Sequence, residues 1–282
     1  MGACGDVKAT GYAKINLALH VRGRRADGYH DIETIFAFVD AGDVLSVRTG
    51  QAEDRLQVAG EFADALGGSP VGDNILMQVL GAFPRPVGNG HDGWHVTLEK
   101  NLPVAAGLGG GSADAGALIR LICDSHGWPD DWQERAAKLG ADVPACVISQ
   151  TARGTGTGTE LTVIDSELTG MAVLLVNPRK PLATGPVFKA WNGIDQGPLA
   201  EGTLRDIVPK ARNDLEDGAR ALVPAIGQII GALKATHPWL ARMSGSGASC
   251  FALYESAEAR DAADAEIAMR YPDWWRMKGT LR

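Results

Sequence analysis

No apolar run in this 282-residue chain approaches the ~18–20 residues that a membrane-crossing helix needs. The opening stretch, Met1 to Thr10, lacks the basic start and apolar middle of a secretory signal. Cysteine is scarce: Cys4, Cys123, Cys146 and Cys250 lie far apart and form no Cys-x-x-Cys pair. That excludes a dense disulfide framework, and a zinc site, which wants more than one close ligand pair, is not expected. Reduced, mostly buried thiols in a cytoplasmic protein are expected. Basic residues are outnumbered, 27 Lys and Arg against 34 Asp and Glu, for a net charge of −7. A surface built to neutralise nucleic-acid phosphates is therefore not expected. No repeat of 20–50 residues is visible, which excludes a solenoid.

What the chain does have is an ordinary globular balance, 45% apolar and 22% charged residues. From Tyr12 to Val21, Ile15, Leu17, Leu19 and Val21 alternate with Lys14, Asn16, Ala18 and His20. This period of two predicts a strand with one buried face and one open face, Lys14 and Asn16 sharing the open one. A polar loop, Arg22 to His30, follows. Two strands are then expected, Thr34–Val39 and Val44–Thr49, divided by a turn at Asp40-Ala-Gly-Asp43. Residues Gly60 to Gly72 read as loop with a short helical turn. Asp73 and Asn74 should start a helix over Ile75–Phe83 that Pro84 stops. Trp94–Glu99 reads as a strand, and Ser112 as the cap of a helix whose buried stripe is Ala115, Leu118, Ile119 and Ile122.

Helices are expected over Asp131–Leu139, ending at Gly140, and from Asp142-Val-Pro144 onward, followed by a glycine-rich hairpin or bend near a domain boundary at Ala152–Thr159, a linker being the alternative. The second half predicts a strand at Met171–Val176, a proline-rich loop to Pro186, and an irregular or partly helical stretch from Pro198 to Arg212. A helix carrying Ile226, Ile229, Ile230 and Leu233 comes next, then a strand at Cys250–Tyr254, a helix at Ala257–Met269 and a last strand at Trp274–Met277. Strands and helices interleave throughout, so the class is α+β. Two domains are expected, 1–160 and 161–282.

The segment Gly107-Leu-Gly-Gly-Gly-Ser112 lies between a strand and a helix. Consecutive glycines let backbone approach a ligand closely, and the free amides and positive end of the following helix suit a polyphosphate. A tight connection with no ligand is the plainer alternative. No lysine follows the glycines, as a Walker loop requires, and no acidic residue ends a second strand about twenty residues on, as a dinucleotide fold requires. Taken alone, Asp142 reads equally as a helix cap or a base. Lys14 reads as a solvated strand residue, Tyr29-His30 as a loop end, and Ser244-Gly-Ser-Gly247 as a tight turn.

Leu102-Pro103 with Gly107-Leu-Gly-Gly-Gly-Ser-Ala-Asp-Ala115 resembles the signature of the galactokinase, homoserine, mevalonate and phosphomevalonate (GHMP) kinase superfamily. Further segments match one branch, whose acceptor is a cytidine-diphosphate-linked methylerythritol. They are Ala13-Lys-Ile-Asn-Leu17 with Arg25-Ala-Asp-Gly-Tyr-His30, then Gly140-Ala-Asp-Val-Pro144, and Asn213-Asp-Leu-Glu216 with Met243-Ser-Gly-Ser-Gly-Ala-Ser-Cys-Phe251. They keep the family's order over nearly the whole chain. Ala105-Ala106 and Ala113 depart from it, standing where glycine and a second serine are common.

The resemblance implies an N-terminal α/β domain, ribosomal S5 domain 2-like, and a C-terminal ferredoxin-like domain. It implies ATP and Mg²⁺ as cofactors. Asp142 would be the catalytic carboxylate, with Lys14 pairing with it beside the acceptor hydroxyl and Asn16 holding the acceptor. Pro103, Gly107, Leu108, Gly109, Gly110, Gly111, Ser112, Asp114, Ser244, Gly245 and Gly247 would bind ATP, Ser112 also reaching the metal. Tyr29, His30, Thr184 and Phe188 would form the cytidine pocket. A sibling small-alcohol kinase, of mevalonate or homoserine type, is the alternative. A monomer or weak homodimer without nucleic-acid or membrane partners is expected.

Overall fold

The computed structural model describes residues 6–66, 73–83, 85 and 93–282. Cys4 and Pro84 lie outside the described residues, as does part of the Gly60–Gly72 stretch. The chain forms two compact units that interleave in sequence. One comprises Met1–Ala13, Gly42–Val104 and Gly110–Ile148; the other comprises Lys14–Ala41, Ala105–Gly109 and Ser149–Arg282. A single cut near residue 160 follows chain order, whereas two long strands, β1 (Val7–Arg24) and β2 (His30–Gln51), have residues in both units.

In the first unit, β3 (Arg55–Ala59) runs parallel to β4 (Gly93–Glu99), and β4 runs antiparallel to the second half of β2, Val44 facing Glu99. The helices α1 (Ile75–Ala82), α2 (Gly110–His126), α3 (Trp132–Leu139) and α4 (Val143–Ile148) complete it. Its core joins Leu45, Val47, Val96 and Leu98 of the strands to Leu76, Val79, Leu118, Ile119 and Ile122 of the helices. The i, i+3, i+4, i+7 stripe on α2 is buried as its spacing predicts. Asn74 caps α1, its side chain accepting from the Leu76 amide at 2.9 Å.

In the second unit, the first half of β2 pairs with β5 (Ala152–Thr155), which forms a hairpin with β6 (Glu160–Val163) across the predicted glycine-rich bend. A separate antiparallel sheet has the order β10 (Trp275–Thr280), β7 (Ala172–Asn177), β9 (Cys250–Tyr254), β8 (Leu240–Met243). Taken in chain order these are its fourth, first, third and second strands, the ferredoxin-like arrangement. Helices α5 (Thr184–Lys189), α6 (Leu204–Ile207), α7 (Glu216–Leu222), α8 (Ala225–Ala235) and α9 (Ala257–Arg270) accompany it. Ile226, Ile229, Ile230 and Leu233 of α8 and Ala263 and Ile267 of α9 pack with Leu174, Val176, Cys250 and Ala252 of the sheet.

Three expectations are corrected. No turn separates Thr34–Val39 from Val44–Thr49, because β2 runs unbroken through Asp40–Asp43. Lys14, Asn16 and His20 do not face solvent: they are 4%, 2% and 3% exposed, so this strand is covered on both faces. Ser112 is not a cap, because α2 already starts at Gly110 and Ser112 is its third residue. The short strand β3 was not anticipated. The cysteines Cys123, Cys146 and Cys250 are buried, and no helix among the described residues is long and apolar enough to cross a membrane.

Candidate active site

The glycine-rich loop straddles the division between units, residues 105–109 lying with the second and 110–112 with the first. In the second unit the loop rests on the other glycine turn. Ser244 donates its hydroxyl to the Gly107 carbonyl at 2.7 Å. Gly107 has φ +75, and a Cβ there would press on the Ser244 carbonyl and lie 2.9 Å from the Gly247 amide. Only glycine fits this contact, for reasons of both conformation and space. The Ser249 amide donates to the Ala106 carbonyl at 3.0 Å and the Leu182 amide to Ala105 at 3.3 Å.

Lys14 joins the same cluster. Its amide donates to the Leu108 carbonyl at 3.0 Å, and its alkyl chain covers Gly109, whose absent Cβ would lie 3.0 Å from Lys14 Cε. Its ammonium stands 4.3 Å over the Phe36 ring and 3.4 Å from Asn16 Oδ1. Asn16 donates through Nδ2 to Thr34 Oγ1 at 2.8 Å and through its amide to Ser244 Oγ at 3.4 Å. Thus Lys14, Asn16, Gly107–Gly109 and Ser244–Gly245 are brought together. Asn213 explains its own segment: its buried amide donates to the carbonyls of Met243 at 2.9 Å and Gly245 at 2.8 Å, holding the second turn.

A second cluster in this unit surrounds His30. Its ring lies 4.9 Å from Phe188 and 5.8 Å, edge on, from Trp191. His30 Nε2 and Trp191 Nε1 are buried with no hydrogen-bond partner. Burial, with the Arg24 guanidinium nearby, lowers the His30 pKa. Tyr29 is 64% exposed beside it, its amide bonded to Asp27 at 3.0 Å. Thr184 opens α5, which carries Phe188, and its hydroxyl meets Ser246 of the second glycine turn at 3.1 Å.

In the first unit, Gly110, Gly111, Ser112 and Ala113 form the first turn of α2, whose amides have no partner within the helix. Asp142, half-buried, immediately precedes α4, its carbonyl accepting from the Cys146 amide at 3.1 Å. This turn comes close to the loop, since a Cβ on Gly140 would lie 3.9 Å from Ser112 Oγ. Asp114 is placed differently from its neighbours. Its carboxylate is buried and accepts from Lys100 Nζ at 2.9 Å, and Lys100 also binds Asp43. Burial pushes the Asp114 carboxyl up to about 8 against the attraction of Lys100, with Asp43 adding to the rise. Burial pulls Lys100 down, but Asp114 and Asp43 together raise it above its ordinary value. Pro103 in this unit and Leu108 in the second are both buried.

Sequence reasoning missed Phe36, Thr34, Trp191, Lys100 and Asp43. Trp191 stands three residues after Phe188, a helical spacing that could have found it; Phe36 carries no local signal. No group of three His, Cys, Asp or Glu side chains among the described residues could hold a metal. Ser112, on the first turn of α2, carries a hydroxyl that could ligate a divalent ion.

The description "GHMP kinases N terminal domain" matches residues 58–150, and "GHMP kinases C terminal" matches 199–271. The 4-diphosphocytidyl-2-C-methyl-D-erythritol kinase of Erythrobacter litoralis is 59% identical over 98% of this chain and 100% of its own. That of Novosphingobium aromaticivorans is 57% identical over 100% of this chain and 95% of its own. A crystal structure of 4-(cytidine 5′-diphospho)-2C-methyl-D-erythritol kinase superposes with a TM-score of 0.80 at 29% identity, covering 98% of this chain and 99% of that one. The order of motifs, the two-part α+β fold and these full-length likenesses agree: the chain belongs to the GHMP kinase family, within its 4-diphosphocytidyl-2-C-methyl-D-erythritol kinases.

Proposed function

We propose that this chain transfers the γ-phosphoryl group of ATP to the 2-hydroxyl of 4-diphosphocytidyl-2-C-methyl-D-erythritol, with the roles that follow. The observation that carries the reading is the gathering of Lys14, Asn16 and the two glycine turns in the second unit. Phosphoryl transfer asks for positioning and for charge stabilisation around the transferred group. Backbone amides at residues 107–113, with Ser244, Gly245 and Gly247, cradle the triphosphate. Asp142 takes the proton of the acceptor hydroxyl. Lys14 stabilises the charge that develops on that oxygen, and Asn16 orients the acceptor. Ser112 would hold a Mg²⁺ ion bound with the nucleotide, and that ion would supply neutralisation of the phosphate charge.

The nucleoside end of the acceptor goes to the His30 cluster. Phe188 and Tyr29 offer aromatic faces, and the unpartnered Nε2 of His30 offers a hydrogen bond to a pyrimidine edge. Thr184 lies between this cluster and the Ser246 turn. The direct test incubates the protein with ATP, Mg²⁺ and each of three acceptors: the cytidyl compound, mevalonate and homoserine. Phosphorylation of the first alone is expected. Turnover of mevalonate or homoserine without it would overturn the assignment.

A further inference from the structure

Beneath the glycine-rich loop lies a buried ion cluster that the roles above leave unused. Lys100, 2% exposed, carries its ammonium between the carboxylates of Asp43 and Asp114, themselves 0% and 2% exposed. The three come from different stretches of chain: Asp43 from the middle of β2, Lys100 from just after β4, and Asp114 from the fifth position of α2.

Each member holds part of the loop's frame. Besides Lys100, Asp43 accepts from the amides of Asn101 at 2.6 Å and Leu102 at 2.8 Å, the residues leading into Pro103. Lys100 binds Asp114 one turn into α2. The ammonium also lies under Gly110, where a Cβ would come within 2.9 Å of Nζ. The cluster therefore grips the chain before the loop and the helix after it, and it occupies the space a side chain at 110 would need. Holding one ammonium and two carboxylates out of water is costly, and apolar residues of similar size often serve stability as well or better. A role in geometry accounts for the arrangement better than a role in stability.

We propose that Lys100, with Asp43 and Asp114, is a positioning residue for the nucleotide: it fixes the first turn of α2, and so aims the amides of Gly110–Ala113 at the triphosphate. The inference rests on the reading of that loop as the phosphate site. Asp114, expected from the resemblance to bind ATP, is assigned here with Asp43 and Lys100 to act through the backbone it holds. The cytidine cluster of His30, Phe188 and Trp191 shares no residue with it.

The test uses the full chain and three variants. Lys100→Met/Asp114→Asn replaces both partners with uncharged side chains of similar size, so that neither is left buried as an unpaired ion, which favours folding. Asp114→Ala removes one anchor, and Asp114→Asn keeps an acceptor for Lys100 in the same place. ATP binding is measured by calorimetry, steady-state constants for ATP and the acceptor are measured separately, and circular dichroism confirms the fold. The double variant and Asp114→Ala should weaken ATP binding by about 10-fold or more, as a misaimed cradle would. The acceptor KM should stay within about twofold, since a uniform loss would mean general damage. Asp114→Asn should restore most of the ATP affinity. Folded variants that bind ATP as tightly as the wild type would overturn the inference, as would an equal loss for both substrates or a failure of Asp114→Asn to rescue. If the wild type itself does not bind ATP, the phosphate-loop reading fails and takes this inference with it.

Discussion

At the scale of single residues the proposed chemistry rests on few side chains, and their removal should be severe. Asp142→Ala should lower kcat by at least ~10²-fold, the low end for a positioned base, with ATP affinity little changed; stopped-flow or coupled turnover assays beside calorimetry would show this. An unchanged kcat would remove Asp142 from the mechanism. A different single-residue effect sits in the loop itself. Ala105, where the resembling kinases often have glycine, is exposed and has φ +52. A left-handed non-glycine residue costs roughly 1–2 kcal/mol, while glycine costs about 0.5–1 kcal/mol in unfolded-chain entropy. Ala105→Gly should accordingly stabilise the protein by on the order of 0.5 kcal/mol or slightly more, read as a higher urea midpoint. The residues proposed for catalysis and acceptor binding were visible only through their motifs. Lys14 and Asn16 look like surface residues in an alternating strand, and nothing local says that two glycine turns will cover them.

At the scale of elements, the legible parts were those whose burial pattern is written in their own period. The stripes on α2 and α8 are cases of this, because each helix covers a single core. The unbroken strand β2 was hidden because its centre is made of turn formers. Their side chains turn out to serve distant partners instead: Asp40 accepts from the Thr280 amide at 2.7 Å, Asp43 binds Lys100, and Gly42 is needed because a Cβ would strike the backbone of Gly11. Tertiary contacts override strand propensity in this way. The packing of α2 on α4 is equally long-range. Gly116 lets α2 reach the α4 backbone so closely that a Cβ would lie 2.6 Å from the Cys146 carbonyl group. Arg120, one turn on, donates to the Cys146 carbonyl at 2.6 Å and to Thr10 at 2.9 Å. Because α2 begins with the amides proposed to bind phosphate and α4 follows Asp142, the proposed base, Gly116→Ala should do two things. It should destabilise by about 1–3 kcal/mol, the usual range for overpacking, and it should lower kcat more than a substitution of equal stability cost in α9. Chemical denaturation and turnover, measured on both variants, check the pair of effects.

At the scale of the whole molecule, the division into units was not legible as a boundary, because β1 and β2 contribute residues to both and no composition shift marks where they pass. What is shared by the whole chain is its response to pH, and here a buried histidine sets the sign. His20 Nδ1 lies 3.2 Å from the Gly197 carbonyl, and Nε2 accepts from the Arg212 amide at 3.4 Å. The neutral ring with its proton on Nδ1 satisfies both partners. A second proton would remove the acceptor and set a cation near the Arg212 guanidinium. Burial first, and Arg212 second, hold its pKa below 6.5. The folded chain therefore binds fewer protons than the unfolded chain just below pH 6.5, so stability from this group is complete above that value and is lost as pH falls. Asp114, raised to about 8 by burial, acts in the opposite direction, its contribution falling as pH rises between its unfolded and folded values. That contribution is common to wild type and to a His20→Asn variant, so it cancels in their difference; Asn keeps one donor and one acceptor for the same two partners. Urea midpoints at about pH 7.5 and pH 5.5 should show the wild type losing more stability on acidification than His20→Asn. His30, also lowered by burial, contributes part of what remains, and His20→Asn/His30→Asn should lose less still. Parallel losses in wild type and His20→Asn would show that the ring at residue 20 is not what makes this fold acid-sensitive.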